Sequence, residues 1–214
     1  MSGSRVTHEY FDERMVNRQR LLWTIATRRQ LERWELYVAA ALLRSMEGRE
    51  LDSTDIWSAE IEHHFTLVAA RHLLRALELE PVTRVSIDPT LRAELIEGRD
   101  LHEHWPDNLP VFNVTPRVEQ PPRRSGRDFA SRNPDRGPYS WLGWSNKTGA
   151  QLLPNVPAPA LHQLFDDVEA EVLADDAELT GFVPPRARSP WLQQDGEWWP
   201  DSTHDPGGRR PGAA

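Results

Sequence analysis

The sequence predicts a mainly α protein: an antiparallel helical bundle with a small β-hairpin insertion and a disordered C-terminal tail. Three observations carry this. Apolar residues recur at spacings of three and four as far as Trp105, and again between Pro159 and Asp175. Prolines and cap residues leave only short connections between those stretches, so neighbouring helices should run antiparallel. From Pro184 onward Pro, Gly, Asp and Arg accumulate without periodicity, the composition of a segment that does not pack. The boundaries read as a flexible N-terminus over 1–9, a bundle domain over 10–178 with a loop and hairpin at 107–157, and a disordered tail over 184–214.

The first helix is expected from about Tyr10 to Met46. Leu31, Trp34, Val38, Ala41 and Ser45 fall on one stripe, with Leu22 and Ile25 extending it. The polar patch Thr27-Arg28-Arg29-Gln30 is a possible break, and Gly48 stands where a C-terminal cap belongs. The second helix opens in Asp52-Ser53-Thr54-Asp55, a choice of N-caps, and runs from about Ile56 to Leu79. Its face is read as Ile61, Phe65, Val68, His72, Ala76 and Leu79, widened by Leu67, Ala70, Leu74 and Leu77. Pro81 ends it by disfavouring helical geometry at Glu80.

Val82 to Ile87 reads as a short extended connector. Asp88-Pro89 then starts the third helix, an N-cap followed by proline at the first helical position. Leu91, Leu95, Gly98, His102 and Trp105 share its stripe, and Pro106 stops it. Tyr139 to Trp144 and Ala150 to Leu153 read as two strands joined by the turn Ser145 to Gly149. Trp141 and Trp144, three apart, would point to opposite faces of such a strand. Pro159 to Asp175 forms a fourth helix with Leu161, Leu164, Phe165, Val168 and Val172 on its apolar side.

Several function classes are excluded or disfavoured. With no cysteine there is no disulfide framework, thiolate zinc site or Cys nucleophile. The polar stretch Met1 to Asp12 is not a secretion signal, and no run of apolar residues is long enough to span a membrane, so a cytoplasmic protein is expected. The Asn113-Val114-Thr115 and Asn146-Lys147-Thr148 sequons are accordingly read as chance matches. A net charge of −8 disfavours non-specific binding to nucleic acid. Lys147 is the only lysine, an arginine bias typical of GC-rich genomes and hence of a bacterial source. Phosphate-binding loops and dinucleotide fingerprints are absent, which disfavours ATP-driven and hydride chemistry.

The motif that points to chemistry is Arg99-Asp100-Leu101-His102-Glu103-His104 in the third helix. An arginine, a polar residue and a histidine near the end of a bundle helix resemble the signature of HEPN domains, small helical bundles of which many are metal-independent ribonucleases. The resemblance spans about Tyr10 to Trp105. It implies catalytic roles for Arg99, Asp100 and His104, no metal or other cofactor, RNA as a partner, and a homodimer with both motifs facing one cleft. Arginine suits a phosphorane-like transition state because its fixed donors clamp two oxygens, and histidine suits proton transfer near neutral pH. In that scheme Asp100 orients one of the two. Five residues of ideal helix turn by about 140°, so Arg99 and His104 share a face only where the helix bends or ends. The structural alternative is an Arg99–Glu103 surface pair, a His104 stabilised by the helix dipole and a half-buried His102. In that case the bundle is a non-catalytic interaction or dimerisation module.

Three further groups stand out. Glu60-Ile61-Glu62-His63 has the spacing of a carboxylate metal site, but a second such pair is lacking and no metal is expected. His72 reads as a core histidine. The segment Arg117 to Arg136 holds six arginines against three acids. Arg123, Arg124 and Arg127 are its candidate RNA contacts, with Phe129 and Tyr139 able to stack on bases; the alternative is a solvated loop. Trp191, Trp198 and Trp199 in the tail read as an aromatic docking motif for a cognate protein partner, or as residues that fold back over a groove.

Overall fold

A computed structural model describes residues 12–50, 53–103, 143–153 and 155–203. The chain is mainly helical with small antiparallel strand pairs. Helix α1 (Glu13–Met46) is unbroken over 34 residues, about 50 Å of helix. Asp12 caps it through a hydrogen bond from the Arg14 amide at 3.3 Å. The expected break at Thr27 does not occur. The hydroxyls of Thr24 and Thr27 donate to the carbonyls of Arg20 and Trp23, so these buried polar side chains are satisfied within the helix.

Helix α2 (Ser53–Leu77) packs along α1. As α1 numbers rise from Arg20 through Trp23 to Trp34, their α2 partners fall from Ala76 through His72 to His63, which fixes the pair as antiparallel. The Arg20 guanidinium reaches past the end of α2 to the carbonyls of Leu79, at 3.0 Å, and Pro81, and so caps that terminus. The stripe on α1 is buried as expected at Leu31, Trp34, Val38 and Ala41, while Leu22 is exposed. On α2 the expected face is rotated. Leu67, Ala70, Leu74 and Leu77 lie in the core together with Leu73, whereas Ile61 and Phe65 are about half exposed (51% each). Packing against α1 and the third helix selects the stripe centred on Leu67 and Leu74.

Helix α3 (Pro89–Glu103) starts where the sequence predicts. Asp88 Oδ1 accepts from the amides of Thr90 and Leu91, at 2.8 and 2.9 Å. Strand β1 (Trp144–Ser145) pairs antiparallel with β2 (Gly149–Leu153), and β2 pairs antiparallel with β3 (Val156–Pro157). The expected hairpin is therefore present over its described part; Tyr139 to Leu142 lie outside the described residues. Helix α4 (Ala158–Asp175) buries Leu161, Leu164, Phe165, Val168 and Val172, all five of the residues assigned to its apolar side. It packs on α1, and a short 3-10 helix (Ala177–Phe182) follows.

The segment expected to be a disordered tail is structured as far as Thr203. Strand β4 (Trp191–Gln194) pairs antiparallel with β5 (Glu197–Pro200), in register Leu192 to Trp199 and Gln193 to Trp198. The connection is Asp195-Gly196, both at positive φ (52° and 81°), the two-residue turn whose twist matches a hairpin. This hairpin docks on the first sheet. The Trp198 amide donates to the Asn146 carbonyl at 2.7 Å, and the Trp144 and Trp199 rings lie 5.8 Å apart. Asp201 is buried and accepts from Arg188 and from the Thr203 amide and hydroxyl. Trp191 is only 5% exposed, and Trp198 and Trp199 are half-buried. The three tryptophans therefore fold back onto the chain itself and are not an exposed docking motif.

One core joins these parts. Trp34 and Leu31 of α1, Leu67, Leu73 and Leu74 of α2, Leu95 of α3, Leu152 of β2 and Phe165 of α4 are all buried in it. Among the described residues, no helix is long and apolar enough to cross a membrane.

Candidate functional site

Of the residues read from the sequence as a catalytic or RNA-binding site, Arg99 alone has a described side chain. It is half-buried in the last described turn of α3. The preceding residue, Gly98, is where α3 meets β2. A Cβ there would lie 2.6 Å from Leu153 Cδ1, closer than carbon atoms approach, so glycine permits the contact. The α3 backbone carries Asp100 and Glu103, but their side chains, like His104, lie outside the described residues. So do Arg123, Arg124 and Arg127.

The Glu60-x-x-His63 spacing does not form a metal site. His63 is buried, and its Nε2 donates to the Leu152 carbonyl at 2.6 Å. Burial drives its pKa down to about 4, against the partial opposition of that hydrogen bond, so the ring stays neutral at physiological pH. His72 is half-buried and stacks on Trp23 with ring centroids 4.3 Å apart, so it flanks the core and does not lie within it as expected. No group of three or more metal-ligating side chains with suitable geometry occurs among the described residues.

A cluster of ionisable groups lies elsewhere, between α1, α4 and the C-terminal hairpin. There a cleft of about 350 Å³ is lined by Glu32, Glu35, His162, Trp191 and Trp198, among others. Helix geometry supplies the polar wall. Arg28, Glu32 and Glu35 recur at four and three residues along α1, and His162 and Asp166 at four along α4, so each set occupies one face. Arg28 is buried and bonds Asp166 Oδ1 at 3.0 Å and also Glu169, while its guanidinium lies 5.7 Å from the centre of the Phe165 ring. Arg186, from the segment leading to β4, reaches both oxygens of Asp166.

His162 Nε2 lies 2.8 Å from Glu35 Oε2. Burial pulls the imidazole toward its neutral form, but the hydrogen bond and charge of Glu35, with the charge of Glu32, outweigh it and hold the pKa above its ordinary value. Glu32 shows the opposite balance for an acid. Burial raises its pKa above its ordinary value, and the positive charges of His162 and Arg28 only partly offset this. The cleft thus holds a histidine shifted toward its charged form, a carboxylate shifted toward its neutral form and two aromatic walls within one small volume.

This cluster was missed in the sequence. Arg28 was read as part of a helix break, and His162 was not singled out. The available signal was the pairing of Glu32-x-x-Glu35 with His162-x-x-x-Asp166 on two apolar-striped helices. Their 127-residue separation hides the pairing until the fold is known. Comparison with known proteins returns no match to the chain, whether among family models, curated proteins or solved structures.

Proposed function

We propose that the chain is a HEPN-like helical domain that cleaves RNA without a metal. It would act as a homodimer in a toxin or defence system of the bacterial cytoplasm. Arg99 stabilises the charge on the transition-state phosphate, His104 moves the proton of the 2′-hydroxyl, and Asp100 orients one of them. The observation that carries this reading is the position of Arg99. It stands at the far end of the third helix of an antiparallel bundle, beside the Gly98–Leu153 contact that anchors that end. A guanidinium held on a packed helix needs little reorganisation to meet a developing charge.

The test is incubation of the full chain with RNA in EDTA, beside Arg99→Ala and His104→Ala. Cleavage leaving cyclic-phosphate ends is expected from the native protein, with a loss of about a hundredfold or more in each variant. Equal activity in all three, or none in any, rejects the reading.

A second reading, a non-catalytic interaction or dimerisation module, draws on a different surface. Trp57, Ile61 and Phe65 recur every four residues along α2 and are 65%, 51% and 51% exposed. Such an apolar row is a common mark of a contact face. This reading expects a dimer by light scattering that Phe65→Glu dissociates, with Arg99→Ala behaving as wild type in every assay.

A further inference from the structure

We propose that the cleft between α1, α4 and the C-terminal hairpin binds a small organic cation, an alkyl- or arylammonium or a guanidinium, on the Glu32 carboxylate. The argument rests on charge matching in a confined space. Cations in the cleft wall are already neutralised: Arg28 by Asp166 and Glu169, Arg186 by Asp166, Arg188 by Asp201, and His162 by Glu35. Glu32 lines the same wall and, among the described residues, holds no hydrogen bond or ion pair. It also borders a second hollow of about 230 Å³, shared with Ile25, Arg29 and the segment from Pro184 to Ala187.

An incoming anion would meet Glu32 and would have to strip an arginine from its carboxylate. An incoming cation meets the one acidic group there that lacks a partner. The rest of the cleft suits the hydrocarbon or ring of such a ligand. Trp191, Trp198, Pro159 and Pro190 line it, and indole faces attract cations. The charged groups around Glu32 are Arg28, Arg29 and Glu35 on α1, His162 on α4 and Arg186 before β4. Because burial favours the protonated form of Glu32, cation binding displaces a proton under acidic conditions and weakens as pH falls.

Phenethylammonium and phenylpropionate offer similar shapes with opposite charge. Both would be titrated into the full chain by calorimetry, with tryptophan fluorescence as a second signal. The ammonium is expected to bind at least about tenfold more tightly than the carboxylate, and Glu32→Gln to lose about tenfold. Wild-type affinity should fall as the pH is lowered and Glu32 takes up its proton. Gln163→Trp fills the cleft from the exposed side of α4 without changing its charges. It is expected to abolish binding while the circular dichroism spectrum stays unchanged, and it decides the matter if Glu32→Gln does not fold. Equal or tighter binding of the carboxylate, full affinity in a folded Glu32→Gln or Gln163→Trp variant, or no ammonium binding up to about 10 mM overturns the proposal. RNA cleavage by the Arg99 motif plays no part in these measurements, so the two proposals fail independently.

Discussion

Trp34 and Glu35 are neighbours on α1, yet they face different partners, and each receives a histidine. On the α2 side His63 lies 6.0 Å from the Trp34 ring, buried and held neutral. On the α4 side His162 bonds Glu35 and is held toward the charged form. A single turn of one helix thus sets two identical side chains in opposite protonation preferences. The α2 seam is built by apolar burial with stacked rings. Where α4 crosses the middle of α1, charge pairs are added to the apolar contact. The first kind of contact tolerates no open space, whereas the second leaves a cleft between its polar groups.

The largest expected effect belongs to the apolar seam. Trp34→Ala should lower stability by about 3–5 kcal/mol in urea unfolding, because the side chain is fully buried and its cavity is walled by helices that cannot collapse freely. A loss under about 1 kcal/mol would mean that the seam is looser than described.

Acid comes next. The folded-state pKa of His63 lies below its unfolded value. Its contribution is therefore complete above about pH 6.5 and is lost as pH falls toward 4, a span worth about 3 kcal/mol. His63→Gln, which can still donate to Leu152, should flatten this part of the stability–pH curve.

His162 has the reverse sign. Its raised pKa makes the Glu35 contact stabilising below about pH 6.5, and that contribution fades as pH rises through the folded-state value. The stability gap between wild type and His162→Gln should therefore narrow from acid to alkali. A gap that widens would reverse the assignment. The smallest effect is expected in the hairpin. Gly196→Ala forces a side chain into positive φ and should cost about 1 kcal/mol, visible as a modest drop in Tm.

The same contrast explains what could be read from the sequence. The α4 stripe, the α1 stripe from Leu31 to Ala41 and the Asp88-Pro89 start of α3 are local patterns, and each appears where expected. Ile61 and Phe65 were placed on the wrong face because several apolar arcs on α2 satisfy helical spacing, and only the partner helix selects one. Arg28 looked like a break because its acids sit 138 and 141 residues away. The C-terminal hairpin had a legible signal, Asp195-Gly196 between two Trp-bearing runs. Composition around it masked that signal, although a turn of this type outweighs a polar neighbourhood. Of the motif around Arg99, the sequence supplies the residue types, and the described structure supplies the position of the arginine.

Strand β2 carries a consequence of its own. Its Leu152 carbonyl receives His63 from α2, and its Leu153 side chain seats on Gly98 of α3. Two consecutive residues thus grip two helices, one through a polar bond and one through a missing Cβ. Any change that displaces this strand by a few tenths of an ångström is transmitted to the residue next to Arg99. Variants of Leu152 or Leu153 would act on the arginine's placement through the backbone at Gly98.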